Sequence, residues 1–180
     1  MSFDSLGLHP ALARAATDAG YDTPTPVQAQ AVPLALQGRD LMVSSATGSG
    51  KTAAYAWPAL MQVLQAREQS REAGRRAPGR PNAPSGPRVL VLVPTRELAL
   101  QVTRAVSDLG RHVQGLRVAS VVGGVPYGAQ LKALRGPLDL LIATPGRLMD
   151  HMASGKAHLA QVSLLVLDEA DRMLDLGFVD

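Results

Sequence analysis

The chain contains no cysteine, which excludes disulfide frameworks and thiolate metal sites. Aromatic residues are scarce, at 3% of 180 positions, so the interior has to be aliphatic and rich in alanine. No apolar run approaches the ~18 residues needed to span a bilayer, and Met-Ser-Phe-Asp at the start has neither the cationic end nor the apolar core of a secretory signal. A cytoplasmic protein with no membrane partner is expected. The four histidines, His9, His112, His151 and His158, lie without ligand spacing, and no metal site built on them is expected. A general basic field is missing too. Of a net charge of +3, residues 67–88 alone carry six arginines against two glutamates, so the remainder sums to −1. Nucleic acid, if bound, would need a local site.

What is present is an alternation of apolar runs and helical patterns. Leu41–Ser45, Val89–Val93, Val118–Val122, Leu138–Ile142 and Leu164–Leu167 are short Val/Leu/Ile-rich runs without polar alternation, as expected of strands buried on both faces of a parallel sheet. Helical segments separate or precede them: Pro10–Ala19, a second helix entered at Pro26 and stopped at Gly38, Lys51 to about Gln65, Arg96–Leu109, Tyr127–Leu134 and Arg147–Met152. Pro58 inside the third predicts a bend or a lost hydrogen bond near Ala54. Residues 67–88, dominated by Arg, Gly, Pro and Ser, keep no apolar period and read as a solvated basic loop inserted between a helix and a strand. Repeated β and α units at this length imply right-handed crossovers and one three-layer α/β domain with a mostly parallel sheet and helices on both faces.

Chemistry gathers where such strands end, because all their C-termini share an edge. Leu41–Ser45 is followed by Ala46-Thr47-Gly48-Ser49-Gly50-Lys51-Thr52. Glycines there allow backbone N–H groups to converge on an anion at a helix N-terminus; Lys51 supplies a point charge to phosphates and Thr52 a hydroxyl to Mg²⁺. The usual first glycine of that pattern is replaced by Ser45. Leu164–Leu167 delivers Asp168-Glu169-Ala170-Asp171, in which Asp168 can hold Mg²⁺ largely through water and Glu169 can polarise an attacking water. Arg96 and Arg147 each occupy a first helical turn, where the dipole disfavours a cation unless an anion is bound there. Together with Gly123-Gly124, they suggest a second polyanion held by its backbone. Thr25 and Gln28 stand at N-cap and N3 spacing, which taken alone favours a capping box.

These motifs, in this order, resemble the first RecA-like domain of the DEAD-box ATP-dependent RNA helicases, over essentially all 180 residues. Asp168-Glu169-Ala170-Asp171 spells the family's namesake. Pro94–Gln101, Gly123-Gly124 and Thr144–Arg147 match its further motifs, and Gly20–Gln28 resembles its adenine-recognition motif, with Phe3 at the upstream aromatic position. The resemblance implies a RecA-like P-loop fold that binds ATP and Mg²⁺. Gln28 would read the adenine edge beside Tyr21 and Thr23, with Phe3 stacked on the ring and Thr25 bracing the loop Ala46–Thr52. Lys51, Asp168 and Glu169 would be the catalytic set, with Thr52 and Asp168 on the metal. Pro94, Thr95, Arg96, Gly123, Gly124, Thr144, Pro145, Gly146 and Arg147 would hold RNA by its backbone, with 2′-OH contacts separating RNA from DNA. Ser45 stands where the family usually has alanine. The family's Ser-Ala-Thr segment and its second RecA-like domain, a partner carrying arginine fingers worth about 10³–10⁵ in rate in related phosphoryl transfers, follow the matched motifs in the family but are not among these residues. Residues 1–180 are therefore expected to bind nucleotide with little hydrolysis and no unwinding by themselves, with the adenine region at 1–28 and the basic insertion at 67–88.

Overall fold

The computed structural model describes residues 3–46, 48–76 and 86–177. These form two compact units: Met1–Leu64 with Arg104–Leu116, and Gln65–Thr103 with Arg117–Asp180.

In the first unit a 3₁₀ turn, Phe3–Leu6, precedes α1 (Pro10–Asp18) and α2 (Pro26–Leu36), followed by the opening turns of α3 (Lys51–Arg76) and the last turns of α4 (Arg96–Leu109). Proline begins α1 and α2, where its missing N–H costs nothing, and His9 Nδ1 accepts the Ala11 N–H at 3.1 Å to cap the first. Leu12, Ala15 and Ala16 turn inward from α1, and Ala31 and Val32 from α2. Trp57, the chain's single tryptophan, is fully buried, with Phe3 and Tyr21 packed edge-on against it at ring-centroid distances of 5.0 and 5.5 Å.

Two expectations fail here. Leu41–Ser45 forms no strand: Met42 is fully exposed, and Leu41 and Val43 are about two-fifths exposed. An apolar composition states what a segment would bury, but a strand also needs a hydrogen-bonding neighbour, and none of the described residues pairs with this run. The helix begun at Lys51 does not stop at Gln65 but continues through Pro58 to Arg76, so residues 67–76 of the supposed loop are helical. Arg, Glu, Gln and Ala are strong helix formers without any apolar stripe, which periodicity alone could not register. Residues 77–85 of that insertion lie outside the described residues, as does Thr47.

The second unit is built on four strands, β1 (Val89–Leu92), β2 (Val118–Val121), β3 (Leu140–Ala143) and β4 (Leu164–Leu167), in the spatial order β2-β3-β1-β4 with every pair parallel. The α/β class with a parallel sheet is thus as expected. The central strands β1 and β3 are buried on both faces. Val89, Val91, Leu140 and Ile142 point one way, and Leu90 and Leu141 join Val121, Leu138, Ala143 and Leu148 in a cluster on the other. Helices α5 (Tyr127–Arg135) and α6 (Pro145–Ala153) supply Leu134 and Leu148 to that cluster. The edge strand β4 departs from the expected two-sided burial. Leu165 and Leu167 pair in register with Leu90 and Leu92, yet both remain more than half exposed, so cover of this face ends at β1. A short helix, α7 (Ala170–Asp175), follows it.

At the start of the sheet Asp139 gathers donors from four residues. Its carbonyl accepts from Arg88 N and Val89 N, and its carboxylate accepts from Arg117 N at 2.8 Å and from Arg67 at 3.1 and 2.6 Å in a bidentate fork. Both side chains of the ion pair are mostly buried, where a charge-assisted fork exceeds an ordinary surface pair. Behind the far end of β2, α6 buries His151 completely; it stacks on Tyr127 at 4.2 Å and reaches Gln130 Oε1 with Nε2 at 3.3 Å, while Nδ1 has no partner. Burial holds this imidazole below the ordinary histidine value of 6.5, Arg147 pushes the same way, and Asp150 opposes both.

Two outcomes follow. Asp139→Ala should lower the unfolding free energy by about 2 kcal/mol, since it removes the acceptor of the Arg67 fork and of the Arg117 N–H; urea denaturation with no shift in midpoint would contradict this role. For His151, the unfolded chain takes up a proton near pH 6.5 that the folded chain refuses. Its contribution to stability is therefore complete above that pH and declines as pH falls toward the lowered folded value. Melting temperatures of wild type and His151→Gln between about pH 7.5 and 5 should show a shallower acid decline in the variant; parallel profiles would contradict the assignment.

Candidate functional site

In the first unit the loop before α3 is tied into itself and to the start of α2. Lys51 Nζ donates to Ser45 O at 2.7 Å, Ser45 and Ser49 share a hydroxyl hydrogen bond of 2.6 Å, and Ser49 N donates to Ala46 O at 3.3 Å. Ser45, the departure from the usual pattern, thus closes the loop from both its backbone and its side chain. Gly50 has φ +90°, and a Cβ there would stand 2.4 Å from Gln28 Nε2, so both conformation and space require glycine. Gln28 itself is fully buried: its Oε1 accepts the Thr25 N–H at 3.0 Å and its Nε2 donates to Gly50 O at 3.2 Å. The glutamine half of the expected capping interaction is therefore made, and the same amide braces the glycine loop. Thr25 Oγ1 is buried without a partner. Thr52 is half-buried at the first turn of α3, and Thr23 is exposed. Phe3, at 8% exposure, lies with Tyr21 against Trp57 rather than standing open.

In the second unit the parallel register puts the ends of β1, β2, β3 and β4 on one rim. Pro94 to Arg96 leave β1, Gly123-Gly124 leaves β2, Thr144 to Arg147 leaves β3, and Asp168 follows β4, its N–H donating to Leu92 O at 3.0 Å. Thr95 Oγ1 accepts the Leu98 N–H at 3.3 Å and caps α4, while Thr144 stands at the N-cap of α6 with Pro145 behind it and Gly146 next in that first turn. The two arginines converge on the Gly123-Gly124 turn. Arg96 Nη1 donates to Gly124 O at 3.4 Å and Arg147 Nη1 to Val125 O at 2.9 Å, with the Arg147 guanidinium 5.9 Å above the Tyr127 ring. A carbonyl acceptor thus meets the guanidinium at each of these helix starts. Each guanidinium has further N–H groups beyond the one used, so the turn and an external phosphate can share them.

Glu169 has φ +54°, alone among the described non-glycine residues in the left-handed region, a conformation costing ~1 kcal/mol or more for a residue with a side chain. Its carboxylate pairs with Arg172 at 3.4 Å, and both Glu169 and Asp171 are exposed. Sequence reasoning passed over Gln130 and gave His151 no role. Both are buried polar residues that hold the turn after β2, and only their spacing behind a glycine pair could have flagged them.

The sequence pattern of the DEAD/DEAH box helicase family matches residues 25–180. The chain is 42% identical over 179 residues to the ATP-dependent RNA helicase DeaD of Escherichia coli (strain K12) and 43% identical over 178 residues to the DEAD-box ATP-dependent RNA helicase 14 of Arabidopsis thaliana. Each alignment covers 99% of this chain and 26% of the relative, so the chain spans about a quarter of the length of the curated relatives it matches. Among solved structures it resembles a hypothetical ATP-dependent RNA helicase from Sulfolobus tokodaii (38% identity, TM-score 0.78, 96% of this chain and 45% of that one). It also resembles the RNA helicase Prp28 from Chaetomium thermophilum bound to ADP (37% identity, TM-score 0.82, 98% and 40%). With an ordered set of motifs on a parallel α/β scaffold and a family match over most of its length, the chain belongs to the DEAD/DEAH box helicase family.

Proposed function

We propose that residues 1–180 are the first RecA-like domain of an ATP-dependent RNA helicase. This domain binds ATP with its magnesium and grips RNA by its backbone. Joined to a second RecA-like domain of the same protein, it couples RNA-stimulated hydrolysis to local separation of a duplex. The observation that carries the reading is the rim of the sheet. Three strand ends present helix starts, a bare glycine turn and two arginines, all suited to phosphate and sugar and none aimed at base edges. The identity to RNA helicases from a bacterium and a plant supports the same conclusion.

On this reading Lys51 and the loop from Ala46 through Thr47, Gly48, Ser49 and Gly50 to Thr52 take the triphosphate. Gln28, with Tyr21, Thr23 and Phe3, takes the adenine, using the lone pair and the N–H that its internal bonds leave over. The Thr52 hydroxyl and the Asp168 carboxylate are oxygen donors of the kind a hard cation such as Mg²⁺ takes while keeping several waters; the ion would neutralise charge on the phosphates. Glu169 orients the attacking water. Pro94, Thr95, Arg96, Gly123, Gly124, Thr144, Pro145, Gly146 and Arg147 carry the RNA strand. Among the described residues no helix is long and apolar enough to cross a membrane.

Lys51→Ala in the parent protein should abolish ATP binding in a filter or fluorescent-nucleotide assay while leaving the melting temperature near wild type. Arg147→Ala should weaken binding of a single-stranded RNA about tenfold and flatten its salt dependence by roughly one counterion, with ATP affinity unchanged. RNA affinity and salt slope both equal to wild type would contradict the backbone track. Phosphate release that RNA fails to stimulate would instead indicate a nucleotide-holding module.

A further inference from the structure

The turn between β2 and α5 has little sheet around it. Strand pairing stops at Val121, so Val122 lies just past the last paired residue and its N–H and carbonyl need other partners. Gln130, on the second turn of α5 and 3% exposed, supplies both: its Oε1 accepts Val122 N–H at 3.2 Å and its Nε2 donates to Val122 O at 3.0 Å. A second Nε2–H goes to Val125 O at 3.1 Å. This reciprocal pair is what a neighbouring strand residue would offer, made instead by a side chain. The amide cannot be reversed, because that would set N–H against N–H at Val122 and oxygen against two carbonyls.

That orientation determines the next residue. Gln130 Oε1 is an acceptor, so His151 Nε2, 3.3 Å away, must be its donor. The Nδ1 atom then carries the bare lone pair, buried and unpartnered. Tyr127 lies flat on that ring and beneath the Arg147 guanidinium. Three carbonyls of the turn are thus bound: Val122 by Gln130, Gly124 by Arg96, and Val125 by Gln130 and Arg147.

We infer that Gln130 is a positioning residue for RNA, backed by His151. By standing in for a missing strand partner at Val122 it presents the Gly123-Gly124 backbone and the Arg147 side chain in a single arrangement. It does not touch RNA; it removes the freedom the turn would otherwise lose on binding. The inference rests on the proposed RNA reading of this rim.

The test uses the parent protein, decauridine RNA as the probe, and ATPase assays at a temperature where circular dichroism shows each variant folded. Gln130→Met keeps side-chain volume and helix propensity but loses every hydrogen bond. It should raise the RNA concentration giving half-maximal stimulation about tenfold, with the KM for ATP and the rate at saturating RNA within about twofold of wild type. Should that variant not fold, His151→Leu removes the donor to Gln130 together with the ring stacked on Tyr127 and should raise the same concentration about threefold, whereas His151→Gln, which also loses the ring but keeps an N–H donor, should restore it. An unchanged half-maximal RNA concentration in the folded variant, or equal losses toward ATP and RNA, would overturn the role given to Gln130 while leaving the RNA reading intact. Wild-type ATPase indifferent to decauridine would overturn both.

Discussion

Four parallel strands held in register must release their chains along one rim, and the chemistry assigned to the second unit depends on that constraint. Leu92, Val121, Ala143 and Leu167 end level with one another, so the segments that follow become neighbours however far apart they lie in sequence. The central strands achieve this by burying both faces in aliphatic side chains, and Asp139 anchors the opposite end with a fork from Arg67. Nothing about the rim residues themselves would gather them.

Once gathered, they mostly satisfy one another. The carbonyls of the Gly123-Gly124 turn are claimed by arginines from two helix starts and by a glutamine from a third helix. In the first unit Gln28 caps α2 and braces Gly50 with the same amide, and Lys51 lies across its own loop. Such internal satisfaction leaves a site arranged before any ligand arrives, which reduces the ordering cost of binding.

Much of this was legible because it follows from local chemistry. Buried Val/Leu runs marked β1 to β4, prolines and glycines marked the ends of α1 and α2, and the motif order identified the family. What escaped depends on partners. Leu41–Ser45 begins with the apolar composition of a strand, but none of the described residues pairs with it as one, and Leu41 to Ser44 lie exposed. Residues 67–76 have no apolar period, yet helix propensity and, at Arg67, a distant carboxylate make them helix. The dipole argument singled out both arginines, but it could not show that each also donates to a carbonyl of a turn about 25 residues away. Gln130 and His151 carry no signature, because a side chain replacing a strand partner is visible only in three dimensions.

The central claim is that one rim of the sheet is the RNA track. Hydrogen–deuterium exchange of the parent protein, with and without decauridine in the presence of a non-hydrolysable ATP analogue, tests it most directly. The account predicts new protection at the Gly123–Val125 turn and at the first turn of α6. RNA-dependent protection confined to other segments, with these amides unchanged, would contradict it.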